Sequence, residues 1–457
     1  MLTVTDLFCG AGGSSIGAQS VSGVRLKVAA NHWKKAIEVH QSNFPDAIHD
    51  CADISQVDFR RYPRTDILIA SPECTNHSQA KGVSRSKQAI SLFDVPDPSA
   101  VRSRATMWDV HRFIEVHRPL AVIVENVVDA RSWMYWNSWW QAFLDAGYSA
   151  RVLSINSMHV PEGVDGHRVP QSRDRIYVLA TRNGIKVDTE LRPLAWCSTC
   201  ERTVEARQSF KRDTRQFGRY RQSWVWRCTQ CLSVVEPDAA PASEAIDWSL
   251  PSQRIGDRSK PLADATLRRI QLGLERLGIP SHQGYSDGDL AMIVETAHQG
   301  ERVPRTVHTP FRTITASDDR PLLVEPPRAF YVRNFAGGNI IDNSMVHDVN
   351  TPFGTMTAHD HTSLLIPYYG HGTPRLASEP IGTLTTKDRY ALVNPGIDLE
   401  DCQYRMLEPH EVGRAMAFPE SYRVEGTKKE RVKLYGNAVT PPVMEFLVGR
   451  VAAALAS

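Results

Sequence analysis

Three β-rich runs in the first 182 residues end in chemically loaded turns, and this constrains the fold more than any other feature. The runs Leu2 to Phe8, Leu26 to Ala30, Ile67 to Ala70, Leu120 to Val124 and Ile176 to Ala180 alternate with longer helix-forming stretches. Such alternation predicts a doubly wound α/β sheet. The first run breaks into Gly10-Ala11-Gly12-Gly13, the third leads to Ser71-Pro72-Glu73-Cys74, and the fourth leads to Glu125-Asn126-Val127. In a parallel sheet these termini share the carboxyl edge, where open α/β folds bind their ligands. A thiol, a carboxyl group and an amide would therefore meet beside a turn whose glycines admit a bound molecule closely.

Beyond residue 182 the texture changes. Arg, Pro, Thr and Gly rise and long helical periodicity fades, so residues 183–401 read as a second, mostly β or irregular domain. Glu236 to Pro261 has linker composition, and Leu267, Ile270, Leu274 and Leu277 space out one helix ending at Gly278. A repeat follows within about 300–393: Pro310 to Asp318, Pro352 to Asp360 and Pro380 to Asp388 share a Thr-alternating pattern, each copy preceding an apolar run. It fits a turn-and-strand scaffold or a face that reads DNA. Residues 402–457 return to helix-forming composition and are expected to complete the first domain.

Net charge is only +2 in 457 residues, so any nucleic-acid partner must be argued from local clustering. Of eight cysteines, four form two pairs, Cys197/Cys200 and Cys228/Cys231, enclosing 27 residues. That spacing suits a tetrahedral four-thiolate Zn2+ site in a ribbon at about 195–233. With four protein ligands the metal would hold the fold and leave no position for catalysis. Between the pairs, eight lysines and arginines face three acidic residues, interleaved with Phe210, Phe217, Tyr220, Trp224 and Trp226. The aromatics suit either stacking on nucleic acid or a small ribbon core. No apolar run approaches the roughly 20 residues that span a bilayer, and the N-terminus lacks a secretory head, so a cytoplasmic protein is expected.

The residues at the strand ends resemble those of the DNA cytosine-5 methyltransferase family, in family order. Asp6-Leu-Phe-Cys-Gly-Ala-Gly-Gly13 is similar to its cofactor motif and Asp53-Ile54 to its adenine-contacting motif. Cys74 sits where the family has its nucleophile, Glu125-Asn126-Val127 matches its Glu-Asn-Val signature, and Pro170 to Arg175 matches its Gln-x-Arg-x-Arg signature. Arg405 to Pro419 and Tyr435 to Val439 resemble its last two motifs. The resemblance covers residues 1–182 and 402–457 and implies a Rossmann-like S-adenosylmethionine-dependent fold, with the span between as target-recognition domain.

It also implies roles. Cys74 would add to cytosine C6, Glu125 would hold a proton at N3, Asn126 would orient that carboxyl group and the base, Arg175 would bind O2, and Arg173 would support the active loop and nearby phosphates. Phe8, Gly10 and Gly12 would line the methionine and ribose side of the cofactor, Asp53 and Ile54 the adenine, and Asn437 the rear of the pocket. The target base must leave the duplex stack, and Thr75 to Arg104 reads as a mobile loop closing over it. Double-stranded DNA is the implied partner, with a monomer as the working state and a cognate restriction endonuclease as an associated activity.

Departures sit at sensitive positions. Glu73 and Thr75 replace the family's Pro and Gln beside the nucleophile, and Asn31 stands where an acidic residue usually meets the ribose hydroxyls. An anion next to Cys74 would disfavour its thiolate. These departures leave an inactive DNA-binding relative and transfer of a modified methyl group as alternatives, and the resemblance itself also admits a tRNA cytosine-5 methyltransferase, one branch of the family.

Overall fold

The computed structural model describes residues 1–72, 98–163, 165–213, 216–240, 242–245, 247, 249–251, 253–261 and 408–456, with the backbone of short strands between 292 and 406. Its main sheet uses β1 (Leu2–Leu7), β2 (Val24–Asn31), β3 (Ile48–Cys51), β4 (Ile67–Ala70), β5 (Ala121–Val127) and β6 (Tyr148–Asn156). After a two-residue strand β7 (Gln171–Ser172) comes β8 (Asp174–Arg182), and the seven-stranded order is β3-β2-β1-β4-β5-β8-β6. β1 to β5 run parallel, whereas β8 lies antiparallel between β5 and β6.

Alternating side chains explain why both faces are covered. On β4, Ile67 and Ile69 join one apolar cluster, while Leu68 and Ala70 join the other. Helices α1 (Gly13–Ser20) and α2 (Lys34–Asn43) contribute to the first face; α3 (Pro98–His117) and α4 (Trp136–Asp145) contribute Phe113, Trp139 and Phe143 to the second. The chain then returns. After α5 (Pro409–Ala415) and α6 (Lys428–Asn437), helix α7 (Pro441–Ala456) sends Val443, Met444, Leu447, Val448 and Val451 into the first cluster.

All five expected strands form, with instructive differences at their ends. Glu125-Asn126-Val127 lies within β5 because β8 pairs with it, Val127 opposite Arg175. The loop expected through Arg104 gives way to helix at Pro98, and the apparent linker after Glu236 is tied down where Asp247 N donates to Glu411 Oε1 (2.8 Å). Among the described residues, one stretch, Lys428–Ala456, holds an 18-residue window whose composition is apolar enough to cross a bilayer (mean hydropathy 1.3). It comprises α6 and α7, and 56% of its apolar window is buried in this core. The helix expected at Leu267 to Leu277 lies outside the described residues, as do most of the Thr repeats. The apolar runs after the first and third copies do form strands, Pro321–Val324 and Ala391–Asn394.

The cysteine pairs sit on a second sheet of β9 (Leu194–Cys197), β10 (Arg202–Phe210), β11 (Trp224–Cys228) and β12 (Val234–Val235), ordered β12-β11-β10-β9. Tyr220, Trp224 and Trp226 are buried within it alongside Val204 and Val235. These aromatics therefore form the small core, and stacking on a ligand is closed to them.

Candidate active site

Register aligns several expected residues in one row. Leu7 pairs with Ala30 and Ala70, and Ala70 pairs with Val124. The next row out is thus Asn31, Phe8, Ser71, Glu125, and two strand spacings of about 4.8 Å put Phe8 roughly 10 Å from Glu125. Ser71 N donates to Leu7 O (3.2 Å) and Cys9 N to Ala30 O (3.2 Å), which fixes this edge.

The turn leaving β1 is held from several sides. Phe8, Gly10 and Gly12 have φ of 61°, 52° and 91°, left-handed backbone that a bulky residue such as Phe8 adopts only under constraint. Phe8 is buried in the cluster that includes Ile54 and Val28. Tyr422 Oη donates to Ala11 O (2.5 Å) and would collide with any side chain at Gly12. Asn31 is buried at the end of β2, its Oδ1 accepting from Trp33 N (2.9 Å). Asp53 caps the short turn Ile54–Gln56 by accepting from Ser55 N (3.1 Å). Asn437 is exposed at the last position of α6; one turn earlier, Lys433 Nζ lies 4.3 Å from the centre of the Trp33 ring. Trp33 thus links the end of β2 to α6.

A buried polar chain beneath the turn escaped the sequence reading. Asp6 Oδ2 accepts from Ser14 Oγ (2.5 Å) and Ser15 Oγ (2.6 Å), while its Oδ1 is buried with no partner among the described residues. Burial pushes this carboxyl up to about 6 against the pull of the two hydroxyls. His40 Nε2 lies 3.0 Å from Ser15 Oγ and its Nδ1 2.8 Å from His49 Nε2. Burial, then the neighbouring His49, holds His40 down to about 3. The available signal was the placement of Asp6 and the Ser14-Ser15 pair on either side of the glycines.

At the other end of the row, Arg175 Nε meets Glu125 Oε1 at 2.8 Å, and the two side chains are only 9% and 12% exposed. Arg175 Nη1 also donates to the carbonyl of Asp174 (2.9 Å). Asn126 turns back to β4, its Nδ2 donating to Pro72 O (3.3 Å) and its Oδ1 accepting from Val127 N (2.8 Å). Glu73, Cys74 and Thr75 lie outside the described residues, one to three positions along the sequence from Pro72. Arg173 is committed elsewhere: buried, it donates to Ala438 O (3.1 Å) and Gly436 O (3.4 Å), clamping the carbonyls on either side of Asn437.

On the second sheet, the Sγ atoms of Cys197, Cys200, Cys228 and Cys231 all lie within 4.8 Å of one another. The cluster could bind a metal.

A family profile described as C-5 cytosine-specific DNA methylase matches residues 2–215 and 323–453, well over half of the chain. The chain belongs to this C-5 cytosine-specific DNA methylase family. Among curated relatives, the type II methylase M.HgiEI of Herpetosiphon aurantiacus is 30% identical over 189 residues, 40% of this chain and 38% of its own length. A DNA-cytosine methyltransferase of Escherichia coli (strain K12) is 27% identical over 227 residues, 44% of this chain and 47% of its own. The chain therefore spans less than half the length of these two relatives. A solved methyltransferase of Entamoeba histolytica, EhMeth, is 12% identical with a TM-score of 0.49, covering 100% of this chain and 99% of that one. S-adenosylmethionine is the cofactor the family implies.

Proposed function

We propose that the chain methylates cytosine C5 in double-stranded DNA, on a base flipped out of the helix, through a covalent adduct of Cys74. The buried Glu125–Arg175 pair carries this reading. A carboxyl group and a guanidinium held together at a sheet edge can meet the N3 and O2 side of one pyrimidine, and Asn126 ties that strand to the chain entering position 74.

The β1 turn fits S-adenosylmethionine. Its left-handed backbone positions open a close approach, Asp6 Oδ1 is a buried acceptor with no partner among the described residues, and Asn31 and Asp53 stand at adjacent strand ends. Phe8, Gly10 and Gly12 would hold the methionine and ribose side, Asn31 the ribose hydroxyls, Asp53 and Ile54 the adenine, and Asn437 the rear. When bound, the cofactor supplies an electrophilic methyl group. The thiolate of Cys74 forms a bond to C6 as Glu125 holds a proton at N3, which shifts electron density to C5. With the methyl on C5 and the donor left as a neutral thioether, a base would remove the C5 proton and the C6–S bond would break, restoring the aromatic ring and the thiolate. Arg175 binds O2 throughout, and Arg173 acts through the C-terminal segment it clamps.

We also infer structural Zn2+ at the four cysteines. A zinc–sulfur bond of about 2.3 Å in a tetrahedron gives sulfur–sulfur edges of about 3.8 Å. The Cys197–Cys231 and Cys200–Cys228 separations are 3.5 and 3.8 Å, far beyond a disulfide's roughly 2.05 Å. The two turns match: the residue after each second cysteine, Glu201 and Leu232, has φ of 50° and 64°. Gln230 N and Cys231 N donate to Cys228 Sγ (3.3 and 3.5 Å), stabilising a thiolate there. Exposed Arg202 and Arg207 on this sheet and Arg212 in the loop after β10 would face phosphate, and the DNA acted on would be cytosolic, in company with a cognate restriction endonuclease.

Bisulfite sequencing of DNA from cells expressing the parent and Cys74→Ser, with tRNA assayed in parallel, tests the reading. Methylated cytosines in one sequence context of DNA, lost in Cys74→Ser, are expected. A parent that marks tRNA alone, or nothing, would sink it, and mass spectrometry of the nucleoside checks that the product is plain 5-methylcytosine.

A further inference from the structure

Three consecutive residues in a loop of the cysteine-bearing sheet, Gly218, Arg219 and Tyr220, reach two strands of the catalytic sheet and the turn that follows a third. The loop between β10 and β11 contains Phe217-Gly218-Arg219-Tyr220. Arg219 Nη2 pairs with Asp129 Oδ2 at 2.6 Å, the two side chains 35% and 27% exposed. Asp129 belongs to the short turn Val128–Ser132, which begins as β5 ends after Glu125, Asn126 and Val127. Tyr220 N donates to Asp174 Oδ1 (2.9 Å), and Asp174 is the residue whose carbonyl takes Arg175 Nη1. Gly218 N donates to Ser154 Oγ on β6 (3.0 Å). The loop itself is fixed from below, because Trp224 Nε1 donates to Gly218 O (3.0 Å) within the buried aromatic core.

We propose that this loop is a clasp, and that Arg219 and Tyr220 are positioning residues for the Glu125–Arg175 pair. Glu125 and Arg175 come from neighbouring antiparallel strands, and each strand is gripped within four residues of its charged group: β5 through Asp129, β8 through Asp174. The grip on Asp174 comes from a backbone amide, so it exists only when the loop is folded in this conformation. The second sheet is thus part of the reaction geometry as well as a neighbour of it. This inference rests on the reading of Glu125 and Arg175 as the cytosine-facing pair.

The clasp predicts a split between turnover and binding. A displacement of about 1 Å in a reacting group can lower a rate by roughly a hundredfold. In the full-length protein, Arg219→Ala should lower kcat about tenfold or more while KM for S-adenosylmethionine stays at the parental value. Arg219→Lys should recover part of the loss, and Asp129→Asn, which preserves volume, should reproduce the Arg219→Ala phenotype. Hydrogen–deuterium exchange gives a readout independent of activity: peptides covering 121–132 and 171–182 should exchange faster in Arg219→Ala and Asp129→Asn, with those covering 2–31 unchanged. If either variant keeps parental kcat and parental exchange in those peptides, the clasp is refuted. A rise in KM for DNA at unchanged kcat would likewise refute it, marking Arg219 as a phosphate contact instead. A parent inactive on DNA overturns the proposed function, and the exchange comparison still decides whether the clasp exists. Should Arg219→Ala not fold, Asp129→Asn carries both measurements.

Discussion

The same substitution should have opposite signs on two helices that pack in one core. Gly17 lies in α1 and Gly449 in α7, both inside helices, and neither needs a left-handed backbone. Replacing glycine by alanine within a helix is worth roughly 0.5–1 kcal/mol of added stability through backbone entropy. At Gly449 nothing opposes this gain: a Cβ there would meet Val21 Cγ2 at 3.9 Å, an ordinary contact. At Gly17 a Cβ would lie 2.7 Å from Glu445 N and closer still to Pro441 O, both backbone atoms of α7. Ordinary contact begins near 3.4 Å, so α7 would have to retreat by more than half an ångström from a core that holds Met444, Leu447 and Val448. Overpacking costs about 1–3 kcal/mol, which outweighs the propensity gain. Gly17→Ala should therefore lower the urea midpoint and Gly449→Ala should raise it modestly, each measured by far-UV circular dichroism on the full chain. Stabilisation by Gly17→Ala would show that α7 does not cross α1 at this distance, and the account of how the C-terminal segment closes the fold would fall with it.

Arg175→Ala should destabilise the protein by about 3–5 kcal/mol, because it leaves the Glu125 carboxylate buried without its partner. Arg175→Ala/Glu125→Ala should regain part of that stability in urea titrations, though not methyl transfer. Elemental analysis should find one zinc per chain, and Cys228→Ser should release it and raise the exposure of Trp224 and Trp226, read by tryptophan fluorescence; zinc content unchanged in Cys228→Ser would remove the four-thiol site. Acid sensitivity should trace in part to His159, whose Nδ1 accepts from Trp226 Nε1 (3.1 Å). Burial, with Arg221 nearby, holds His159 at about 3 against an ordinary 6.5. Below 6.5 the unfolded chain binds a proton that the folded chain refuses, so this contribution is whole above 6.5 and is lost progressively as pH falls toward 3. His159→Asn keeps an acceptor for Trp226 and cannot titrate, so its stability between pH 6.5 and 4 should fall less steeply than the parent's. An identical slope in the two proteins would refute the burial argument.

The sequence alone determined the strands and the order of the chemistry along them. Short alternating or unbroken apolar runs that stop at a glycine cluster or at polar residues must be strands, so Leu2 to Phe8, Ile67 to Ala70 and Leu120 to Val124 were readable as strands with chemically loaded ends. The cysteine spacing likewise announced four thiols that meet. Contacts between residues far apart in the chain were decided only by the tertiary structure. Nothing local to Arg173 says that it will clamp Gly436 and Ala438, nothing near Gly17 foretells the backbone of Pro441, and Arg219 is one of eight basic residues until the fold sets it against Asp129. Composition left Trp224 and Trp226 free to be core or ligand platform, and burial made them core. The physical reason is that backbone periodicity is a local property written in consecutive residues, whereas a partner for a buried polar or small residue is chosen by packing, which depends on where the whole chain has gone.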